Sequence, residues 1–180
     1  MTGSITSTSG YSALGVTKPN YLSWPILKAH VQNHAGEVVL RSADPLDRPL
    51  INFRNFDEGS DTAGQDLDSV VAGIRFVRQL TAKLRAQGLI AEEEQPGEAL
   101  QTNSDLQDFV RSTAWGHHAS CTCAIGPREG GGVLGSDFRV HGTEGLRVVD
   151  ASVFPRIPGF FIVSAVYMVA EKAADVILAS

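Results

Sequence analysis

The sequence predicts an α+β fold, and three observations predict it. Short extended runs broken by turn residues fill Tyr21 to Phe53. A long apolar stripe at helical spacing follows from Gln65 to Ala86. The chain then ends in a strongly apolar helix after Pro158-Gly159. With 180 residues, 43% of them hydrophobic and 19% charged, the chain has the composition of a soluble globular protein and fits one domain, or one and a small extension. That size allows a core to be buried without disulfides or metals.

Residues 1–20 are polar and rich in Ser, Thr and Gly, and read as a flexible tail or linker; residues 21–180 carry the fold. Met1 to Ser12 lacks the basic start and apolar middle of a signal peptide. Leu22–Gln32 and Glu37–Arg41 are expected to be strands, with Asn33-His34-Ala35-Gly36 as the hairpin turn between them. Pro45 ends the second strand because it removes a ladder donor. Pro49–Phe53 suggests another short extended piece, and Asp57–Gly64 a polar loop.

The clearest helix spans about Gln65 to Ala86. Leu67, Val70, Val71, Ile74, Val77 and Leu84 make one buried stripe, and Gly88 suits its C-terminal cap. Glu92-Glu93-Glu94 reads as a solvated edge. Ser104-Asp105-Leu106-Gln107 has the form of a capping box, so a second helix should run to about Thr113 with Phe109 and Val110 inward. The alternation in Leu146–Asp150 reads as a strand entering the core. The final helix is apolar on nearly every face to Ala170 and becomes amphipathic at Glu171, Lys172 and Asp175, so it should lie deep in the protein or against a partner.

The formal net charge of −5, with Lys and Arg scattered, argues against a nucleic-acid role. The longest apolar run, Gly159 to Ala170, is too short to span a bilayer. Cys121 and Cys123 would point to opposite faces of an extended segment, so no disulfide is expected between them, and a reducing, cytoplasmic setting is the simplest reading. Two cysteines and scattered histidines make no zinc framework, so no metal is expected. Gly130-Gly131-Gly132-Val133-Leu134-Gly135 matches G-x-G-x-x-G in form only. That motif needs a strand before it and a helix after it, whereas Pro127-Arg128-Glu129 precedes and Ser136-Asp137-Phe138 follows.

Candidate chemistry concentrates in the last third. The run Trp115-Gly116-His117-His118-Ala119-Ser120-Cys121-Thr122-Cys123 contains His118, a side chain whose titration range suits a general base. Leu146-Arg147-Val148-Val149-Asp150-Ala151-Ser152-Val153-Phe154-Pro155-Arg156-Ile157-Pro158 leads into a helix containing Ala170-Glu171-Lys172-Ala173-Ala174-Asp175. From the residues alone, a lone histidine such as His118 is structural more often than catalytic, and a cap on a turn at a strand end is the favoured reading of Asp150.

These segments resemble the C-terminal part of the glucose-methanol-choline (GMC) family of flavoenzymes, and the resemblance extends from Trp24 onward, with Gly36–Phe53 similar to that family's substrate-domain hairpin. It implies an antiparallel sheet with helices packed on one face, residues 21–115 forming the sheet and covering helices and residues 116–180 an active-site and flavin-facing segment. It implies an FAD-dependent oxidoreductase acting on CH–OH donors, with His118 as general base in a run matching H-x-x-G-T-C. Cys121 stands where the family usually has Gly. Asp150 and Ala151 would lie against the flavin, as would Ile162 and Val163. Phe161 falls at the family's second active-site position, usually His or Asn, and can neither take a proton nor donate a hydrogen bond. Arg156, five residues earlier, is a further candidate, and His141 reads as structural.

No strand–glycine turn–helix for the ADP part of FAD is legible in the sequence, so the chain reads as one half of an enzyme. Its expected partners are a separate FAD-binding chain or a homo-oligomer, and a small alcohol-type substrate. Apolar surface on the last helix and around Val148, Phe160 and Phe161 should then be exposed and favour association. The contrasting reading is a non-catalytic remnant or binding module that keeps the fold without flavin, motivated by Phe161.

Overall fold

In the computed structural model of this chain, which describes residues 2–3, 21–116, 118–159 and 161–179, the apolar stripe forms a helix over Gln65–Ala86 (α1). Gly64 at its N-cap offers no side chain, but the Asp61 carboxylate accepts the Asp66 N–H at 2.6 Å and satisfies one first-turn donor. Asp66 and Asp68 at the start and Lys83 and Arg85 at the end complement the helix dipole. At the C-terminus the Gly88 N–H donates to Arg85 O and the Leu89 N–H to Leu84 O, a Schellman ending that needs the left-handed φ of +70° at Gly88.

The chain divides into two units, Met1–Gly116 and His117–Ser180. In the first, α1 packs on a second helix, Asn103–Thr113 (α2). Leu67, Val71 and Ile74 of α1 and Leu106 and Val110 of α2 are buried together, with Ile26, Phe56, Val70, Leu100 and Phe109 packed around them. Leu84, expected in the stripe, is 36% exposed, because the last turn of α1 lies beyond this cluster. The capping box of α2 sits two residues before the expected one. Thr102 Oγ1 accepts the Asp105 N–H, and the Asp105 carboxylate accepts the Thr102 N–H.

The expected strand over Leu22–Gln32 does not form. Only Tyr21–Leu22 (β2) is a strand, paired in parallel with Thr2–Gly3 (β1); the other residues of 1–20 lie outside the described residues. The reason is the buried Asp66 on α1. Its carboxylate accepts the backbone N–H groups of Gln32 and Asn33 and pairs with Lys28 Nζ at 3.3 Å. Donors that a ladder would need are thus taken by a helix. Ile26 lies so close to α1 that a Cβ at Gly73 would meet its Cγ2 at 2.7 Å, which accounts for a glycine in mid-helix. Asn33–Gly36 is likewise no hairpin turn. Asn33 Oδ1 accepts the Ala35 and Ser60 N–H groups, and its Nδ2 donates to Arg54 O.

The hairpin forms one connection later. Glu37–Val39 (β3) pairs antiparallel with Leu50–Asn52 (β4), with Val38 opposite Ile51, and Pro45 falls in the connection between them. Every residue of both strands is exposed. The fold is therefore α+β with a small antiparallel sheet, and the buried core of this unit lies between helices. Within Glu92–Glu94 the two outer residues are exposed, as expected of a solvated edge, and only Glu93 departs from it. Glu93 keeps only 9% of its side chain exposed, because Arg78 clasps its carboxylate through Nε and Nη2 while Arg85 Nη1 stands 3.6 Å away.

In the second unit, Leu134, Phe138, Val153 and Ala173 are buried, with Ile125, Val140, Val148 and Val169 packed on them. Single bridges replace extended strands. Leu134 pairs with Ile125 and Val140, and Arg139 pairs with Arg147. The expected strand over Leu146–Asp150 is reduced to this last bridge, and Val148 packs into the core instead of joining an exposed patch. Gly130–Gly135 passes from a 3-10 turn into the Leu134 bridges, and no helix follows it directly. The last helix is Val163–Leu178 (α3). No described helix is long and apolar enough to cross a membrane.

Candidate active site

His118 lies half-buried in an irregular segment, and His117 falls outside the described residues. Just beyond His118 the backbone turns through Cys121, whose φ of +70° puts a side-chain-bearing residue in the left-handed region. That conformation costs a residue with a Cβ about 1–2 kcal/mol. A row of backbone hydrogen bonds holds it in place. The N–H groups of Cys121, Cys123 and Ile125 donate in turn to the carbonyls of Ala151, Ser152 and Val153, at 3.3, 2.9 and 2.9 Å. Two motifs far apart in sequence, the His118 run and the Asp150 turn, are therefore laced side by side.

The Asp150 turn is built locally. Asp150 is the N-cap of a 3-10 turn, Ala151–Val153, and its Oδ1 accepts the Ser152 N–H at 2.7 Å. Asp150 itself is exposed and Ala151 half-buried, while Val153 anchors the turn in the core. Ser152 adds a group that sequence reasoning missed. Its hydroxyl is buried within the turn and has no hydrogen-bond partner among the described residues. The only sequence signal for it is the Asp-x-Ser spacing of a turn, which does not reveal burial.

Phe161, Ile162 and Val163 form the entry to α3. Phe161 is 66% exposed, Ile162 is the half-buried N-cap and Val163, 60% exposed, is the first helical residue. No side chain caps this helix and no acidic residue lies in its first turn. Its first N–H groups have no acceptor within the helix, so they present partial positive charge beside an apolar surface of Phe161, Val163 and Tyr167. Such a surface suits a flat aromatic group with hydrogen-bond acceptors at its edge. Phe160 lies outside the described residues, and Arg156 is exposed. His141, read from its sequence context as structural, makes a contact within this unit. Its Nε2 lies 2.9 Å from Gly126 O and ties two loops of this unit together.

A family model described as GMC oxidoreductase matches residues 32–170 of the chain. Among curated proteins, the chloroplastic fatty acid photodecarboxylase of Chlamydomonas reinhardtii is 38% identical over 172 residues, 91% of this chain and 27% of that protein. The oxygen-dependent choline dehydrogenase of Paraburkholderia phymatum is 38% identical over 141 residues, 78% of this chain and 24% of that protein. Among solved structures, formate oxidase from Aspergillus oryzae RIB40, studied for the effect of a mutation on FAD modification, superposes with a TM-score of 0.69 at 36% identity, covering 80% of this chain and 24% of that one. The chain thus spans about a quarter of the length of these relatives.

Proposed function

From the premise that this chain belongs to the GMC oxidoreductase family, we propose that it is the C-terminal portion of an FAD-dependent oxidoreductase acting on CH–OH donors, with His118 as general base. The observation that carries this reading is the lacing of residues 121–125 to 151–153, which holds the His118 run against the Asp150 turn. Bound FAD supplies the two-electron acceptor for a hydride leaving the alcohol carbon. His118 takes the hydroxyl proton at an imidazole nitrogen, and the surrounding loop keeps the ring half out of water. Asp150 and Ala151 set the backbone that the cofactor would rest on. Ile162 and Val163, with the uncapped first turn of α3, offer N–H groups and apolar contact to the ring. Phe161 holds no proton; it shapes an apolar wall and shifts the substrate range away from small polar alcohols.

The fit to FAD is partial. The entry to α3 suits the ring, whereas for the ADP part no strand, glycine turn and helix occur in sequence among the described residues. Another copy of this chain would carry the same residues, so the ADP part is assigned to an FAD-binding part that these residues do not include. A partner would also complete the sheet over β3 and β4, with helices on one face. On α3 and its entry, Phe161, Val163, Tyr167 and Met168 support an association face of their own, being between 60% and 73% exposed on one stretch of chain.

Two experiments test the proposal. In the enzyme assembled with its FAD-binding part, His118→Ala should lower turnover by about 10²–10⁴-fold while the flavin absorbance is retained. Unchanged turnover would remove His118 from the mechanism. Separately, the chain is incubated with FAD and freed of excess; a colourless protein is expected for this part alone. A second reading, a binding module that keeps the fold without flavin, is favoured by the exposed Phe161 where the family pattern has a polar group. Failure of every FAD-binding partner to restore colour would turn the choice toward it.

A further inference from the structure

We infer that the first unit contains a specific site for one buried water molecule, bound between Trp24 and Arg78 beneath the Arg78–Glu93 ion pair. Arg78 uses Nε and Nη2 on Glu93 and Gly97 O, yet its Nη1 is also buried and meets no acceptor. The indole Nε1 of Trp24 is buried in the same condition. Both residues line one cavity of about 20 Å³, together with Val77, Thr81, Arg85, Ile90 and Glu93. A buried N–H without an acceptor loses its bond to water and gains none in exchange, so two at one cavity call for a shared acceptor.

Size and charge identify that acceptor. A water needs roughly 10–15 Å³ of such space and two to four polar partners, so this cavity holds one and nothing larger. Its oxygen accepts from Trp24 and Arg78. Its hydrogens have the Glu93 carboxylate and Thr81 Oγ1 as acceptors, the latter having spent its own hydrogen on Val77 O. A halide would satisfy the two donors equally well, but the surroundings are balanced. Arg78 and Arg85 face Glu93 and Glu98, two positive charges against two negative, so no excess positive charge recruits an anion. The water would fasten the segment around Trp24 to α1 and to the 89–100 loop through one node.

Nuclear magnetic resonance on the 15N-labelled full chain tests this. Trp24→Phe identifies the Trp24 indole signal by deleting one of two. In the unsubstituted chain, water-selective experiments should give a Trp24 indole cross peak whose NOE and ROE have opposite signs, the signature of a long-lived water and not of proton exchange. Arg78→Lys keeps a cation for Glu93 but removes Nη1, and should abolish the peak. The inference is overturned by a missing peak in the unsubstituted chain or by its survival in Arg78→Lys. Displacement of the peak by bromide would overturn it equally.

Discussion

α1 and α3 are the two longest helices, and the chain uses them in opposite ways. α1 is mixed in composition, yet six of its residues are buried, and its partners α2, Ile26 and Phe56 all lie within the same unit. α3 is richer in apolar residues, yet only Ala173 is buried. Val169 and Val176 pack beside it, while Val163, Tyr167, Met168 and Leu178 face outward. One helix has a closed core and the other has more apolar surface than its own unit covers. The hairpin β3–β4 belongs with α3 in this respect, since Val38, Leu50 and Ile51 are half or more exposed and a lone two-stranded ladder is marginal in water. Apolar content alone does not say where a core lies; what matters is whether a matching face is present in the same unit.

Substitutions in the two helices should therefore differ in cost, read by thermal or denaturant unfolding. Ile74→Ala should have the largest effect, a loss of about 4 kcal/mol, because the residue is 2% exposed between α1 and α2. Glu93→Ala should cost about 3 kcal/mol by leaving the Arg78 guanidinium buried without its counterion. Thr102→Ala should cost about 1 kcal/mol through the lost cap on α2.

That cap also gives α2 a pH dependence. The side-chain hydrogen bond with Thr102, then the Thr102 backbone N–H, holds the Asp105 carboxyl below its ordinary value of 3.8. The folded value is depressed, so the contribution is present above 3.8 and is lost as pH falls through the lower folded value. Unfolding curves of Thr102→Ala should show less of this acid-side loss. Cys121→Gly should stabilise by about 0.5 kcal/mol, relief of the left-handed strain being partly offset by glycine's extra freedom in the unfolded chain. Met168→Ala, at 73% exposure, should change stability by less than about 0.5 kcal/mol. A cost near that of Ile74→Ala would mean the α3 face is covered in solution, and light scattering would then show the associated species.

What the sequence determined by itself is what depends on neighbours along the chain. The bounds of α1 follow from a period of 3.6 and a glycine at the residue that must turn left-handed, both local matters. The end of α2 at Thr113, the apolar excess of α3 and the Asp150 cap were legible for the same reason. His118 and Asp150 could be marked as candidates, but not the pairing of the segments that follow them, because the bonds from 121–125 to 151–153 join residues about thirty positions apart. Only the tertiary structure decided that, and three other outcomes with it. Residues 22–32 gave up strand pairing because Asp66, 34 positions beyond Gln32, captures their backbone donors. Glu93 left the surface because Arg78, 15 positions earlier, faces it from α1. Cys121 tolerates a glycine conformation because the lacing holds it. In each case a side chain or a backbone group is claimed by a partner whose position is set by the packing of a distant element, and no local period carries that information.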